Sequence, residues 1–369
     1  MKINIAFIIP PIKNTGLINL VSNIIKNLDN KVFQVILIII NEDYVYNCND
    51  DTFFKNNFLS SLQQIHPLLN YFYVNKNNLV EGAKSILTKN KIDIIHSHGF
   101  YPDKLASKIE LPIIKITTIH CMFFKDYNKE YGLLKGVIGS LLHLYYINNN
   151  SFSKIIACSS SVKKYLNNLI HQNNLLFINN GVDQNLFYPI TLNNKKYLIR
   201  YKLQLDKYDK IFIYSGRLIK RKQVPKLINL FNNYLLNNNN DCLLILGNGE
   251  ELEICKNTAK HPNIIFLGHQ NNPEIYYQIS DFVVSMSSAE GYPMSILEAV
   301  SCGCYAFLSN IPPHMEFILE NPNMADDIKN LSNNQSLDNT IVTNFSKLSA
   351  KTMADKYSQV YLELLGVNT

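Results

Sequence analysis

Residues 282–300 read FVVSMSSAEGYPMSILEAV: an apolar run from Phe282 to Met286, a polar bend from Ser287 to Glu290, and a helix-forming segment through Ala299 and Val300. Two carboxylates, Glu290 and Glu298, stand in it with seven residues between them. A strand feeding a tight turn and then a helix is one βα unit, and the free amides of the helix start make such a turn an anion site. Carboxylates beside a bound anion are placed to accept hydrogen bonds from hydroxyls, so a phosphorylated sugar compound is the ligand class that fits.

The rhythm of that unit recurs along the chain. Short apolar runs at Ile3–Pro10, Gln34–Asn41, Tyr71–Val74, Asp93–Ser97, Ile113–Ile119, Lys154–Cys158 and Leu175–Ile178 alternate with segments of helical period. A second series follows at Lys210–Ser215, Cys242–Leu246, Asn263–Leu267, Asp281–Ser285 and Tyr305–Ser309. Such alternation predicts parallel sheets. Between the two series, Asn179–Leu192 has turn chemistry and little periodicity, which marks a linker. The 369 residues exceed what one core comfortably supports, so the expectation is an α/β protein of two Rossmann-like, doubly wound parallel-sheet domains facing across a cleft. The domains are expected at 1–185 and 186–345, with a terminal helix over 346–369 that packs back on the first. Ligands of such sheets collect at the carboxyl ends of the strands. The unusual residues cluster there: Gly16, His96 and His98, His120, Gly216-Arg217, Gly247-Asn248-Gly249 and Glu290-Gly291.

Hydrophobic residues make up 47% of the chain and charged residues 17%, a globular balance. Seven cysteines are scattered without CxxC spacing, so thiols in a reducing compartment are expected. The apolar run after Lys2 stops at Pro10-Pro11 and reads as a first buried strand rather than a signal peptide. Val35–Ile40 is far too short to span a membrane, and a soluble cytoplasmic protein is the expectation. The net charge is +6, yet Lys195–Lys226 alone carries eleven Lys and Arg against Asp206 and Asp209, a local +9. A solvated basic face accounts for most of these, and without an RNP, zinc-finger or helix-turn-helix pattern no nucleic-acid partner is expected.

Gly216-Arg217-Leu218 ends a strand, and Lys222 lies five residues beyond Arg217. That spacing brings a guanidinium and an ammonium to one pocket, where they neutralise a departing pyrophosphate. The competing reading is a surface cluster of Lys220, Arg221 and Lys222. Gly247-Asn248-Gly249 lets backbone approach a ligand or merely turns the chain, and no GxGxxG fingerprint follows any strand. Glu298 has a structural alternative, because Ser295 with Glu298 three residues later is also a capping box. His120 is either a satisfied structural ring or a polar group aimed at the cleft. His96 and His98 take structural roles: no third ligand stands at suitable spacing, and they are expected to face opposite sides of their strand. Asn49-Asp50-Asp51 reads as a variable loop, not a metal motif. With no GxSxG elbow and no P-loop lysine, a serine hydrolase or P-loop kinase is disfavoured.

The ordered set of motifs resembles the retaining glycosyltransferases of family 4, which have the GT-B fold. EGYPMSILE at 290–298, continued by Ala299 and the Gly303 turn, resembles that family's paired-glutamate motif. Gly216-Arg217-Leu218 with Lys222 resembles its phosphate site, with Gln223 where a glycine is usual, and Asn180-Gly181-Val182-Asp183 with Phe187 and Pro189 resembles its interdomain connection. Phe266–His269, Asp93–His98 and Ser309–Pro312 also fit. The match implies Arg217 and Lys222 on the donor diphosphate, Glu298 on the ribose, Glu290 on the donor sugar and His120 beside it. Amides near Gly291, Tyr292, Pro293, Met294, Ser295 and Ile296 would meet phosphate or sugar, with Gly216, Gly247, Asn248 and Gly249 completing the donor set. The usual glycine pair after the first strand is Thr15-Gly16 here, which leaves the contact of Gly16 with donor or acceptor less defined.

His120–Ser159, with Asp126-Tyr127, Tyr131-Gly132 and Ala157-Cys158-Ser159, resembles bacterial members that build capsule or O-antigen polysaccharides. Their acceptor is a lipid-linked saccharide at the inner face of the cytoplasmic membrane. The lysines between Lys104 and Lys164 then serve a peripheral contact with anionic lipid, or are ordinary surface. The implied activity moves a hexose or N-acetylhexosamine from a nucleotide diphosphate sugar, UDP being favoured by commonness alone, to a saccharide hydroxyl with retention. It needs neither a cofactor nor a metal. Two other readings are a nucleotide-sugar epimerase of the same architecture, against which the linker and the glutamate spacing speak, and an inactive scaffold in a polysaccharide assembly complex.

Overall fold

Ile5, Ala6, Phe7, Ile8 and Ile9 are completely buried, as a parallel strand covered by helices on both faces must be. The computed structural model describes residues 2–41, 49–75, 78–149, 151–170, 173–331 and 345–367. Cys48 lies outside them. Backbone contacts divide the chain into two units, one of residues 1–123, 137–181 and 350–369, the other of residues 124–136 and 182–349.

In the first unit β1 (Ile3–Ile9), β2 (Phe33–Asn41), β3 (Asn70–Asn75), β4 (Ile94–His98), β5 (Ile114–Ile119), β6 (Lys154–Ala157) and β7 (Leu175–Phe177) form one sheet in the order β3-β2-β1-β4-β5-β6-β7. All its pairings are parallel. The helix Ala350–Leu364 packs on the helix Gly16–Asn27 and carries two tyrosines into this core. Tyr361 Oη pairs with His96 Nδ1 at 2.7 Å and Tyr357 Oη with Thr118 Oγ1 at 3.1 Å.

The second unit repeats the design. β8 (Ile211–Ser215), β9 (Cys242–Leu246), β10 (Ile264–Gly268), β11 (Phe282–Ser285), β12 (Tyr305–Leu308) and β13 (Ala325–Asp327) run parallel in the order β10-β9-β8-β11-β12-β13. The helix Val224–Asn237 sets Leu227, Ile228, Phe231 and Leu235 into a core that holds Phe212, Phe282 and Phe307. Each sheet grows one way from its first strand and then the other, so β1 beside β4 and β8 beside β11 are topological switch points.

The α/β class with two doubly wound parallel sheets is as expected, and every expected strand is present within one residue at either end. β13 is an addition: Ala325-Asp326-Asp327 is a short polar edge strand with no apolar run to announce it. Asn49-Asp50-Asp51 opens the helix Asn49–Ile65 and is not a loop, which corrects that reading. The cysteines among the described residues are free thiols, and all but Cys121 are buried.

Part of the basic stretch is structural. Asp281, nearly buried just before β11, accepts from Lys196 Nζ at 2.8 Å, Arg200 Nη2 at 2.7 Å and the Ile211 amide at 2.8 Å, which pins the helix Asn193–Lys202 to the start of β8. Replacing Asp281 with Ala leaves the Ile211 amide without this acceptor and removes the anion shared by two cations, which keep only the carbonyls of Ser280 for Lys196 and Ile279 for Arg200. The expected loss is about 3 kcal/mol in urea unfolding of the full chain, and a loss indistinguishable from zero removes Asp281 as the anchor.

Candidate functional site

The loop after β8 begins at Gly216 and passes Leu218, which is fully buried, into a single 3₁₀ turn, Lys220–Lys222. Gln223 follows at φ +53°, in the left-handed region, and starts the helix Val224–Asn237. That conformation explains why glycine is the residue expected there. The loop after β9 lies hard against this one. A Cβ on Gly247, at φ +128°, would stand 1.9 Å from the Gly216 carbonyl oxygen, and one on Gly249 would stand 2.3 Å from that of Leu218. The Leu218 amide donates to Asn248 O at 2.9 Å, and the Glu251 amide to Leu218 O at 2.9 Å. The two glycines are thus needed for close approach to the Gly216–Leu218 backbone.

The loop after β11 arrives at the same place because β11 is the neighbour of β8. Glu290, 6% exposed, accepts from Lys222 Nζ on one carboxylate oxygen and from Arg221 Nη1 on the other at 3.0 Å. Burial works to raise the Glu290 carboxyl, but the charges of Lys222 and Arg221 outweigh it and hold the group far below the usual carboxylate range. Arg221 also donates to Ala289 O at 2.6 Å and pairs with Asp126 at 3.4 Å. Asp126 and Glu130 are four residues apart on the helix Phe123–Tyr131. Glu130 takes Arg217, whose side chain is 58% exposed, at 3.0 Å. Lys222 and Arg217 are therefore not on one carboxylate: Lys222 is inside with Glu290, and Arg217 is outside with Glu130.

Glu290 leads to the helix Met294–Ser301, whose cap residue is Pro293 and offers no side-chain acceptor. Its first-turn amides therefore lack a side-chain cap, which is the anion-binding state of a helix start. Ser295 is the second residue of the helix, so the capping box with Glu298 does not form. Glu298 instead accepts from Tyr277 Oη at 3.4 Å, and burial pushes its carboxyl up to about 7. Tyr292 is buried with its ring edge-on to Phe317 at 6.4 Å and serves the core.

In the first unit, Thr15 caps the helix that Gly16 begins, accepting from the Ile18 amide at 3.4 Å. His98 stacks on His120 with ring centroids 5.3 Å apart, and His96 lies tilted against His98 at 4.2 Å. The expectation that His96 and His98 face opposite sides is overturned, because residues two apart on a strand project to the same face. His98 Nδ1 and His120 Nε2 share a hydrogen bond of 3.0 Å. Burial lowers His120 to about 4 and His96 to about 3, so both are neutral near pH 7. Among the described residues no group of three or more His, Cys, Asp or Glu is arranged to hold a metal ion.

Sequence reasoning missed Arg221, Asp126, Glu130 and the support of His98 for His120. Arg221 sits between two other cations, and nothing in the string Lys220-Arg221-Lys222 says which of them turns inward. The i, i+4 spacing of Asp126 and Glu130 was the available signal for a carboxylate face. His314, fully buried with Nδ1 3.1 Å from Ser309 O, was also unforeseen.

A family model described as Glycosyl transferases group 1 matches residues 196–337, and one described as Glycosyltransferase Family 4 matches residues 16–186. The O-antigen biosynthesis glycosyltransferase WclY of Escherichia coli is 27% identical, with 98% of each chain covered. The capsular polysaccharide biosynthesis glycosyltransferase CapH of Staphylococcus aureus is 23% identical over 69% of this chain and 70% of its own. Among solved structures, Anabaena HepE in complex with UDP-glucose superposes with a TM-score of 0.76 at 16% identity, covering 98% of this chain and 99% of its own. Sucrose-phosphate synthase of Thermosynechococcus elongatus superposes at 0.74 with 16% identity and full coverage of both chains. These likenesses show the fold, which is GT-B.

The left-handed backbone at Gln223 makes a local prediction. Gln223→Gly relieves the strain of a side chain in that region and should stabilise the chain by about 1 kcal/mol in urea unfolding. Destabilisation instead would show that the Gln223 side chain does more than tolerate its position.

Proposed function

We propose that this chain, which belongs to the family 4 glycosyltransferases, transfers a hexose or N-acetylhexosamine from a nucleotide diphosphate sugar to a saccharide hydroxyl with retention of anomeric configuration. The observation that carries the reading is the junction of the β8 and β11 loops, where Lys222 and Arg221 hold an ionised Glu290 and the β11 loop runs on into an uncapped helix start. A nucleoside diphosphate leaves with concentrated negative charge, and cations fixed in a buried site stabilise that charge without reorganising. Lys222 and Arg217 are assigned to the diphosphate, joined by Arg221, with the amides of Met294 and Ser295. Gly216, Gly247, Asn248 and Gly249 hold the loops that carry these groups. No metal or cofactor takes part in the reaction as proposed.

Glu290, being ionised, accepts from the sugar hydroxyls, and Glu298 accepts from the ribose. His120 is assigned a contact with the donor sugar, as a neutral ring kept in place by His98. That HepE is solved with UDP-glucose supports a UDP-hexose donor. The O-antigen and capsule relatives support a lipid-linked surface-polysaccharide acceptor, met by a peripheral protein on the inner face of the cytoplasmic membrane.

Lys222→Ala should lower kcat/KM for sugar transfer by roughly 10²-fold or more, as loss of a charge-stabilising donor does, and Arg217→Ala should remove most of the transfer. Full activity in both variants would sink the diphosphate assignment. The ribose assignment has its own pH signature. Glu298 is poised at about 7 in the free chain, and hydroxyls donate to the ionised form, so binding draws off the proton. UDP affinity should therefore rise as pH climbs through neutrality and then level off, and Glu298→Gln should flatten the rise. Calorimetry showing the same profile in both proteins would remove Glu298 from the ribose.

A further inference from the structure

The helix Leu133–Ile147 reads LLKGVIGSLLHLYYI, with one cation, Lys135, and no acidic residue. It is apolar on two sides. One side enters the fold through Ser140, His143, Leu144 and Ile147, all buried, with His143 Nε2 bonded to Asp103 at 2.7 Å. The other side is in water: Ile138, Leu141, Leu142 and Tyr145 are 49%, 55%, 43% and 69% exposed. These positions recur at three- and four-residue intervals, so they form one stripe along the helix. Leu133 and Leu134, in its first turn, are exposed as well. A contiguous apolar stripe on a surface helix marks a contact that the isolated chain does not make.

The neighbouring helix Phe100–Lys108 widens the face. Phe100 packs edge-on to His143 and Tyr146, which brings Tyr101, itself exposed, and Lys104 to the stripe's border. Lys104 Nζ lies 5.8 Å from the Tyr146 ring. The face thus combines aliphatic side chains with tyrosines and a cationic rim. Aliphatic groups suit the acyl boundary, tyrosines the headgroup level and lysines the lipid phosphates. No helix among the described residues is long and apolar enough to cross a membrane, so the contact is with the surface of a bilayer.

We infer that the stripe Ile138, Leu141, Leu142 and Tyr145, bordered by Tyr101, Lys104 and Lys135, docks this chain onto an anionic lipid bilayer. The inference deepens the reading of a lipid-linked acceptor, although its evidence is the exposed face itself.

Flotation of the full chain with phosphatidylglycerol-containing vesicles, and with phosphatidylcholine vesicles alone, tests it. The chain should float with the first and much less with the second. Leu141→Glu with Leu142→Glu should cut the bound fraction about tenfold, since binding follows buried apolar area. Lys104→Glu with Lys135→Glu should weaken binding to the anionic vesicles selectively. Failure of the unmodified chain to float, or equal flotation of the leucine variant with an unchanged melting curve, overturns the inference. So does a dimer in sedimentation that the leucine variant converts to monomer, which would assign the face to a second copy. Transfer to a soluble saccharide acceptor, measured in parallel, separates the two readings. A leucine variant that keeps this transfer and loses the vesicles supports docking. A chain that floats but transfers no sugar keeps the docking face and discards the proposed activity.

Discussion

The ion cluster around Glu290 is the interaction on which the site depends. A carboxylate with 6% exposure is tenable only if its charge is matched, because moving an unpaired ion out of water costs several kcal/mol. Lys222 and Arg221 supply that match; without Glu290, Lys222 loses its carboxylate partner, whereas Arg221 keeps Asp126 and the Ala289 carbonyl. The cluster extends outward through Asp126 and Glu130 to Arg217, so that three cations face three carboxylates of the same unit. Without substrate the protein's own carboxylates keep these cations oriented. On the proposed assignment a diphosphate would enter by exchange of partners rather than by ordering loose side chains, with little of its binding energy spent on positioning.

The fold is what brings the partners together. Lys222 follows β8 and Glu290 follows β11, strands far apart in sequence that lie side by side where the sheet reverses its order. The contact is sharpened by backbone chemistry at Gly247 and Gly249, which have no room for a Cβ against the Gly216–Leu218 loop. Those glycines act on the cations at one remove. They fix the loop, the loop fixes the 3₁₀ turn, and the turn decides that Lys222 and Arg221 point at Glu290.

Strands were legible because a parallel strand buried on both faces has to be a short unbroken apolar run, as in Ile5–Ile9 or Leu243–Leu246. β13 was not, since Ala325-Asp326-Asp327 is held by backbone pairing at an edge and carries no such run. The glutamates, glycines and Lys222 were legible because each stands at a strand end, where irregular chemistry is conspicuous. The choice between Arg217 and Arg221 was not, because a single 3₁₀ turn spreads consecutive side chains over different directions and sequence spacing does not report which one the neighbouring loop receives. Likewise Asp126 and Glu130 come from a segment between β5 and β6, strands of the first unit, yet group with the second. Nothing local in their sequence carries that long-range choice.

The two glutamates that frame the 282–300 stretch show how far environment separates identical side chains. Glu290 is buried among cations and stays charged, whereas Glu298 is half-buried beside a tyrosine hydroxyl and its carboxyl is pushed up to about 7. Glu298 lies above its unfolded value, so the folded chain holds a proton that the unfolded chain has already lost. Its contribution to stability is thus highest below the ordinary glutamate range and falls as pH rises toward about 7. A ligand that donates hydroxyl hydrogens to the ionised carboxylate offsets that cost, whereas a ligand at Glu290 has no such cost to relieve. Pairs of carboxyls driven apart in this way take different duties in one site. On the proposed reading Glu290 would take a permanent electrostatic role beside the sugar, and Glu298 would grip a ligand whose arrival changes its protonation.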